Sequence, residues 1–160
     1  MSLIEPPLYF AYGSNMLSRR MCARIPSARA VGTAWIDEHR LSLAKAGRDG
    51  SGKATLVADP DACVWGVLYA IDPAHWKKLD DFEPGYTRTA LVVTTRSRER
   101  VGASTYLAPP TASDPVAFAW YKRFIVDGAR EHGLPAPYVE SLRRLPERPD
   151  PNHVSPEPIS

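Results

Sequence analysis

Apolar residues in this chain cluster in short blocks rich in aromatic and β-branched types, set apart by Gly, Pro and Asp; that pattern is strand-rich. The clearest block is Cys63–Ile71, where Val64, Trp65, Val67, Leu68 and Tyr69 predict a strand. Gly66 inside it predicts a bulge or the close approach of another backbone. Residues 8–12 carry aromatics in weak alternation and predict a first strand. Ala30–Ile36 and Arg40–Ala46 predict a strand pair around an Asp37-Glu38 turn, and Ala54–Ala58 a strand ended by Asp59-Pro60-Asp61. Arg88–Thr95 and Val101–Ala108 predict two more.

Helical signals are fewer. Asn15 or Ser18 can cap a short helix through Arg24, which Pro26 ends. Asp72-Pro73 predicts a helix to about Phe82, because Asp accepts from free N–H groups and Pro sits where its missing N–H costs nothing. Asp114-Pro115 repeats that start for the longest helix, ending at Gly133, in which Phe118, Tyr121, Phe124, Ile125 and Gly128 recur at helical spacing. A last helix is predicted over Pro137–Leu145. From Pro146 the polar, proline-rich PERPDPNHVSPEPIS predicts a disordered tail, 146–160, behind a single domain, 1–145. Strands with single helices inserted, then helices gathered late, imply an α+β fold with a small mixed, barrel-like sheet and flanking helices.

Composition narrows the partners. With 160 residues, 44% hydrophobic and 24% charged, the chain reads as one soluble domain able to bury a core. It has no eighteen-residue apolar stretch, so no membrane span is expected, and MSLIEPPLYF lacks the basic and apolar regions of a signal peptide. A net charge of +2 is too small to imply a nucleic-acid partner, and Arg96-Ser-Arg-Glu-Arg100 reads as a solvated strand face or hairpin tip. His39, His75, His132 and His153 show no metal-ligand spacing, so no metal is expected. Cys22 and Cys63 lie far apart and read as buried thiols of a reducing cytosol, which implies a cytoplasmic protein. Monomer and homodimer are both open.

Three stretches carry candidate chemistry. GRDGSGK (47–53) resembles a phosphate loop but runs into Ala54 and a strand, so it reads as a hairpin loop. In LYFAYGSNM (8–16) a strand stops on Gly-Ser-Asn. Gly13 lets a ligand approach the main chain, and a helix start beyond it offers free N–H groups to a carboxylate or oxyanion. A capped turn without a ligand explains the stretch equally well. Ser14 lies outside a GxSxG elbow and reads poorly as a nucleophile. In KLDDFEPGY (78–86), Glu83 sits between an aromatic and a proline at a helix end, where partial desolvation would raise its pKa and suit it to proton transfer; a solvated helix end is the plainer reading.

Together these residues resemble the γ-glutamylcyclotransferase family. The likeness rests on YFAYGSNM (9–16), VWGVLY (64–69), LDDFEPGY (79–86), STYL (104–107) and YKRFIVDGAREHGLP (121–135), in the family's order. It implies a small mixed barrel with flanking helices. It also implies cyclisation of a γ-glutamyl amino acid or peptide to 5-oxoproline within glutathione metabolism, without metal or other cofactor. Glu83 would be the catalytic glutamate. Tyr9, Phe10, Ala11, Tyr12, Gly13, Ser14 and Asn15 would form the substrate loop, with Tyr121 and Tyr106 lining the pocket. The family often has glycine directly after that glutamate, whereas Pro84 intervenes here, which bears on the leaving-group side. Open alternatives are a γ-glutamylamine or protected metabolite as substrate, a non-catalytic binding module, or amide hydrolysis through Ser14.

Overall fold

Leu8–Ala11 (β1), Arg29–Ala46 (β2), Gly52–Ala70 (β3), Thr87–Thr95 (β4) and Arg100–Leu107 (β5) close into a barrel in the order β1–β3–β2–β4–β5. The structure, a computed structural model, describes residues 8–152; the N-terminal residues and the tail beyond Asn152 lie outside the described residues. Neighbouring strands are antiparallel except β1 and β5, which run parallel and meet where Tyr9 faces Ser104. The sheet is therefore mixed and barrel-like, with helices outside it, as the order of elements implied. Phe10, Val64, Val67, Tyr69 and Val93 are enclosed in the core.

Where four short strands were expected, β2 and β3 form two long ones of 18 and 19 residues. The two expected turns face each other across the ribbon. Pairing runs to Asp37 opposite Cys63 and resumes at His39 opposite Ala58, so residues 59–62 face Glu38 alone, at φ 61°. Turn chemistry here produces a wide bulge, which bends the ribbon without ending it and leaves Pro60 outside the ladder. Gly66 pairs regularly with Ala34, so it marks no bulge. A Cβ there would lie 2.5 Å from the Ala11 carbonyl oxygen and 2.7 Å from the Phe10 ring, which is the close approach its position implied.

The helices are Ser18–Arg24 (α1), Trp76–Asp81 (α2), Ala119–Glu131 (α3) and Ala136–Arg143 (α4). Asp72 caps as expected: its Oδ1 accepts the Ala74 N–H at 2.9 Å, and a 3-10 turn Pro73–His75 leads into α2. Asp114-Pro115 does not start α3. Ala117–Phe118 (β6) is extended, paired in parallel with Glu147–Arg148 (β7), while the Val116 carbonyl accepts from Gly52 and the Ala117 N–H donates to Pro146. Those long-range bonds override the local cap signal, and the helix begins at Ala119.

The same bonds correct the expected tail. Residues 146–152 pack on the domain: Arg148 stacks over Phe118, and the Trp120 indole N–H donates to Asp150. The rest of that expectation, 153–160, lies outside the described residues. Both cysteines are free, as expected, but exposed and not buried, because Cys22 lies on the outer face of α1 and Cys63 beside the bulge.

What brings helix to site is a glycine. Gly128 of α3 is pressed against the turn after β1: a Cβ there would lie 2.5 Å from the Leu17 nitrogen and 2.7 Å from the Met16 carbonyl carbon. The Tyr69 hydroxyl fixes the same turn from the barrel side by donating to the Met16 carbonyl at 2.9 Å. Gly128→Ala is expected to destabilise the fold by about 1–3 kcal/mol in urea unfolding. Gly32→Ala, at a glycine whose Cβ would meet nothing within 4 Å, should change stability by no more than about 0.5 kcal/mol.

Candidate active site

The chain leaves β1 at Tyr12-Gly13 and tightens into a 3-10 turn, Ser14–Met16, whose leading N–H groups have no helical carbonyl behind them. A Cβ on Gly13 would sit 3.3 Å from the Ala54 Cβ and 3.9 Å from the Tyr121 hydroxyl, so glycine keeps this backbone open to the cleft. Asn15, 3% exposed, points inward. Its Nδ2 donates to the Tyr9 hydroxyl and to Glu83 Oε1, each at 3.1 Å.

Glu83 arrives from the end of α2. The Tyr86 N–H donates to the Glu83 carbonyl at 3.2 Å, with Pro84 and Gly85 between them and Gly85 at φ 84°. That is the proline-then-glycine chemistry of a type II turn, so the inserted Pro84 is accommodated by a tight turn whose left-handed position Gly85 occupies. The Glu83 side chain is 15% exposed, and the Arg24 guanidinium Nη1 lies 3.8 Å from Oε1. Burial raises the carboxyl above its ordinary range, against the opposing pull of Arg24, Arg20, the Asn15 hydrogen bond and Lys45.

Five tyrosines wall the cleft: Tyr9, Tyr12, Tyr86, Tyr106 and Tyr121. Tyr12 donates to the Tyr106 carbonyl at 2.5 Å, and Tyr106 donates to Asp80 at 2.5 Å. Tyr86 donates to the Ala54 carbonyl at 2.7 Å, while the Tyr121 hydroxyl accepts the Ala54 N–H at 3.1 Å; two phenols thus hold one residue of β3 by both ends of its backbone. Burial pushes all five phenols upward, so each remains a neutral hydroxyl.

Of the residues singled out in the sequence, Tyr9, Tyr12, Gly13, Ser14, Asn15, Glu83, Tyr106 and Tyr121 line one cleft. Phe10 and Ala11 do not. Strand alternation turns Phe10 to the other face, against Gly66, and Ala11 is fully enclosed. Ser14 Oγ accepts from Arg20 Nε at 3.1 Å and no histidine lines the cleft, so the serine–histidine pairing of a hydrolase nucleophile is not present among the lining residues. The 47–53 loop is a hairpin connection: Asp49 accepts from the Ser51 N–H and hydroxyl and from Lys53, and a strand follows.

Sequence reasoning missed Tyr86, Arg20 and Arg24. The arginines stand one turn apart on α1, an (i, i+4) pair that shares a face. That four-residue spacing is the signal in the sequence that could have found them.

The cleft combines one buried carboxyl, inward-facing phenols and free N–H groups. Asn15 Oδ1 is buried there with no hydrogen-bond partner among the described residues. Such a set can hold a carboxylate or oxyanion at its donors and an ammonium at its acceptors, and move a proton through Glu83.

The AIG2-like family model matches residues 63–142 of this chain. The γ-glutamylcyclotransferase of Mus musculus is 33% identical over 150 residues, covering 88% of this chain and 79% of its own. That of Homo sapiens is 32% identical with the same coverage. Among solved structures, a γ-glutamyl cyclotransferase superposes with TM-score 0.85 at 30% identity over 92% of each chain. The crystal structure of an uncharacterized human protein reaches 0.87 at 31% identity over 95% of each.

Carboxyl-carbon NMR is expected to show Glu83 titrating above 4.5, and Asn15→Ala, which removes a hydrogen bond to the carboxylate, should move it higher; a midpoint at or below 4.5 contradicts the burial argument. A carboxyl whose folded pKa exceeds its unfolded one contributes stability below the unfolded value, and loses it as pH rises through the folded one. Glu83→Gln should remove that share of the slope in pH-dependent urea unfolding.

Proposed function

The chain belongs to the γ-glutamylcyclotransferase family, and from that premise we propose that it closes a γ-glutamyl amino acid or peptide to 5-oxoproline and releases the amine. The observation that carries the reading is the juxtaposition of a desolvated carboxyl, Glu83, with the partnerless Asn15 Oδ1 in a cleft otherwise rich in donors. The substrate's α-amine is already tethered to the γ-carbonyl. Attack forms the lactam C–N bond and breaks the original amide C–N bond, with no enzyme nucleophile. Intramolecular attack of this kind reaches effective molarities on the order of 10⁵–10⁸ M once the substrate is held correctly.

The protein's part is then positioning and proton transfer. Asn15 Oδ1 and the Glu83 carboxylate receive the α-ammonium. Glu83 takes one proton from the ammonium to free the amine and passes it to the departing nitrogen. The second proton, lost from the ring nitrogen as the lactam bond forms, follows the same route, so the amine leaves as an ammonium, Glu83 ends as it began and no water is consumed. The Ser14 and Asn15 N–H groups, with the Tyr9 and Tyr121 hydroxyls, supply donors for the α-carboxylate and the developing oxyanion. Two free, exposed thiols suit a reducing cytoplasm, and the chemistry suits a step of glutathione metabolism.

Glu83→Gln should keep its far-UV circular dichroism and lose about 10²–10⁴-fold in 5-oxoproline formation. A panel of γ-glutamyl amino acids and amines, with mass detection of both products, tests the reaction class. Free glutamate in place of 5-oxoproline would mark a hydrolase. No product with any compound would mark a binding protein, and near wild-type turnover by Glu83→Gln would remove the glutamate from the mechanism.

A further inference from the structure

Beside the tyrosine cleft lies a second cavity of about 280 Å³, and the two share Ser14, Glu83, Tyr86 and Tyr121 as a common wall. If Glu83 protonates the departing nitrogen, the group attached to that nitrogen extends past Glu83 into this second space. Its lining is unusually charged. Five cationic side chains face it, Arg20 and Arg24 from α1 and Lys45, Arg48 and Lys53 from the β2–β3 hairpin, against two carboxylates, Asp49 and Glu83.

Asp49 is already engaged by Lys53, at 3.1 Å, and by Ser51. Arg24 is nine-tenths buried, and its Nε has no hydrogen-bond partner among the described residues, while its Nη1 stands 3.8 Å from Glu83, beyond a hydrogen bond. Lys53 has its ammonium 4.5 Å from the centre of the Tyr121 ring, and burial holds its pKa down in spite of Asp49. Lys45 lies over Tyr86 and donates to the Pro84 carbonyl at 3.1 Å, on the turn that carries Glu83. Positive charge therefore meets the cavity from two sides: α1 next to the departing nitrogen, and the hairpin on the other.

We propose that this cavity receives the leaving group and selects one with two carboxylates, so that γ-glutamyl derivatives of an acidic amino acid are the preferred substrates. This rests on the cyclotransferase reading above and specifies its substrate class. Arg24 takes the α-carboxylate, which lies two bonds from the departing nitrogen. Lys45, Arg48 and Lys53 take the side-chain carboxylate. A neutral leaving group would leave the hairpin cations facing an uncharged surface. A simple amine would also leave the Arg24 Nε without a hydrogen-bond acceptor.

The test compares γ-glutamyl-glutamate with its neutral isostere γ-glutamyl-glutamine, by kcat/KM for 5-oxoproline formation. The acidic compound is expected to be favoured by about tenfold or more, the discrimination of one charge-assisted contact. That ratio should fall towards one in Lys53→Gln and in Arg48→Gln. Arg48 is exposed on the hairpin loop, so its substitution leaves packing intact even if Lys53→Gln proves unstable. Equal or faster turnover of the glutamine compound overturns the proposal, as does a ratio unmoved in both variants. If γ-glutamyl-alanine yields 5-oxoproline and the acidic compound does not, the subsite falls and the cyclotransferase reading stands. If no γ-glutamyl compound yields 5-oxoproline, both fall.

Discussion

A carboxyl group drawn out of water is the constraint around which this molecule is arranged. Isolated, a buried carboxylate would cost several kcal/mol, and it would simply take up a proton. Here the surroundings make both states of Glu83 accessible. Apolar and aromatic neighbours raise its proton affinity, while the Asn15 amide and the Arg24 guanidinium restrain that rise. The Asn15 amide is itself held by Tyr9, and its turn is clamped between Tyr69 and Gly128. One acid–base group thus depends on a strand, a turn, two helices and a barrel wall.

Much of this was legible, and what was not has identifiable causes. The block Cys63–Ile71 and the crowding at Gly66 could be read locally, because strand propensity and the absence of a side chain act where they stand. The continuity of β2 and β3 could not. Asp-Glu and Asp-Pro-Asp favour a change of direction whether it ends a strand or bends one, and only the pairing across the ribbon distinguishes the two. The start of α3 was hidden for the converse reason: a strong local cap signal yields to hydrogen bonds with residues far along the chain.

The cleft divides in the same way. Glu83, Asn15, Tyr9, Tyr12, Tyr106 and Tyr121 fall within stretches whose order resembled a known family, so they could be named beforehand. Tyr86 lies in one of the same stretches, but nothing local shows that its hydroxyl reaches back to Ala54. Arg20 and Arg24 could not, since their meaning depends on which face of a seven-residue helix looks inward. Phe10 and Ala11 show the limit of carrying over a whole segment. Alternation turns Phe10 to the opposite face, while Ala11, on the face of Tyr9, is enclosed by its neighbours, so a contiguous motif is not wholly a binding surface.

The barrel's closure has a consequence of its own. β1 and β5 come from near the two ends of the barrel-forming sequence, and they meet where Tyr9 faces Ser104. Tyr9 also holds Asn15, and through it Glu83. Pairing so distant in the chain carries a large loop-closure entropy and forms slowly. The β2–β3 ribbon, whose strands are joined by a short loop, closes at a smaller entropic cost. The seam that completes the barrel thus also anchors the strand from which Tyr9 holds Asn15, and through it the Glu83 carboxyl.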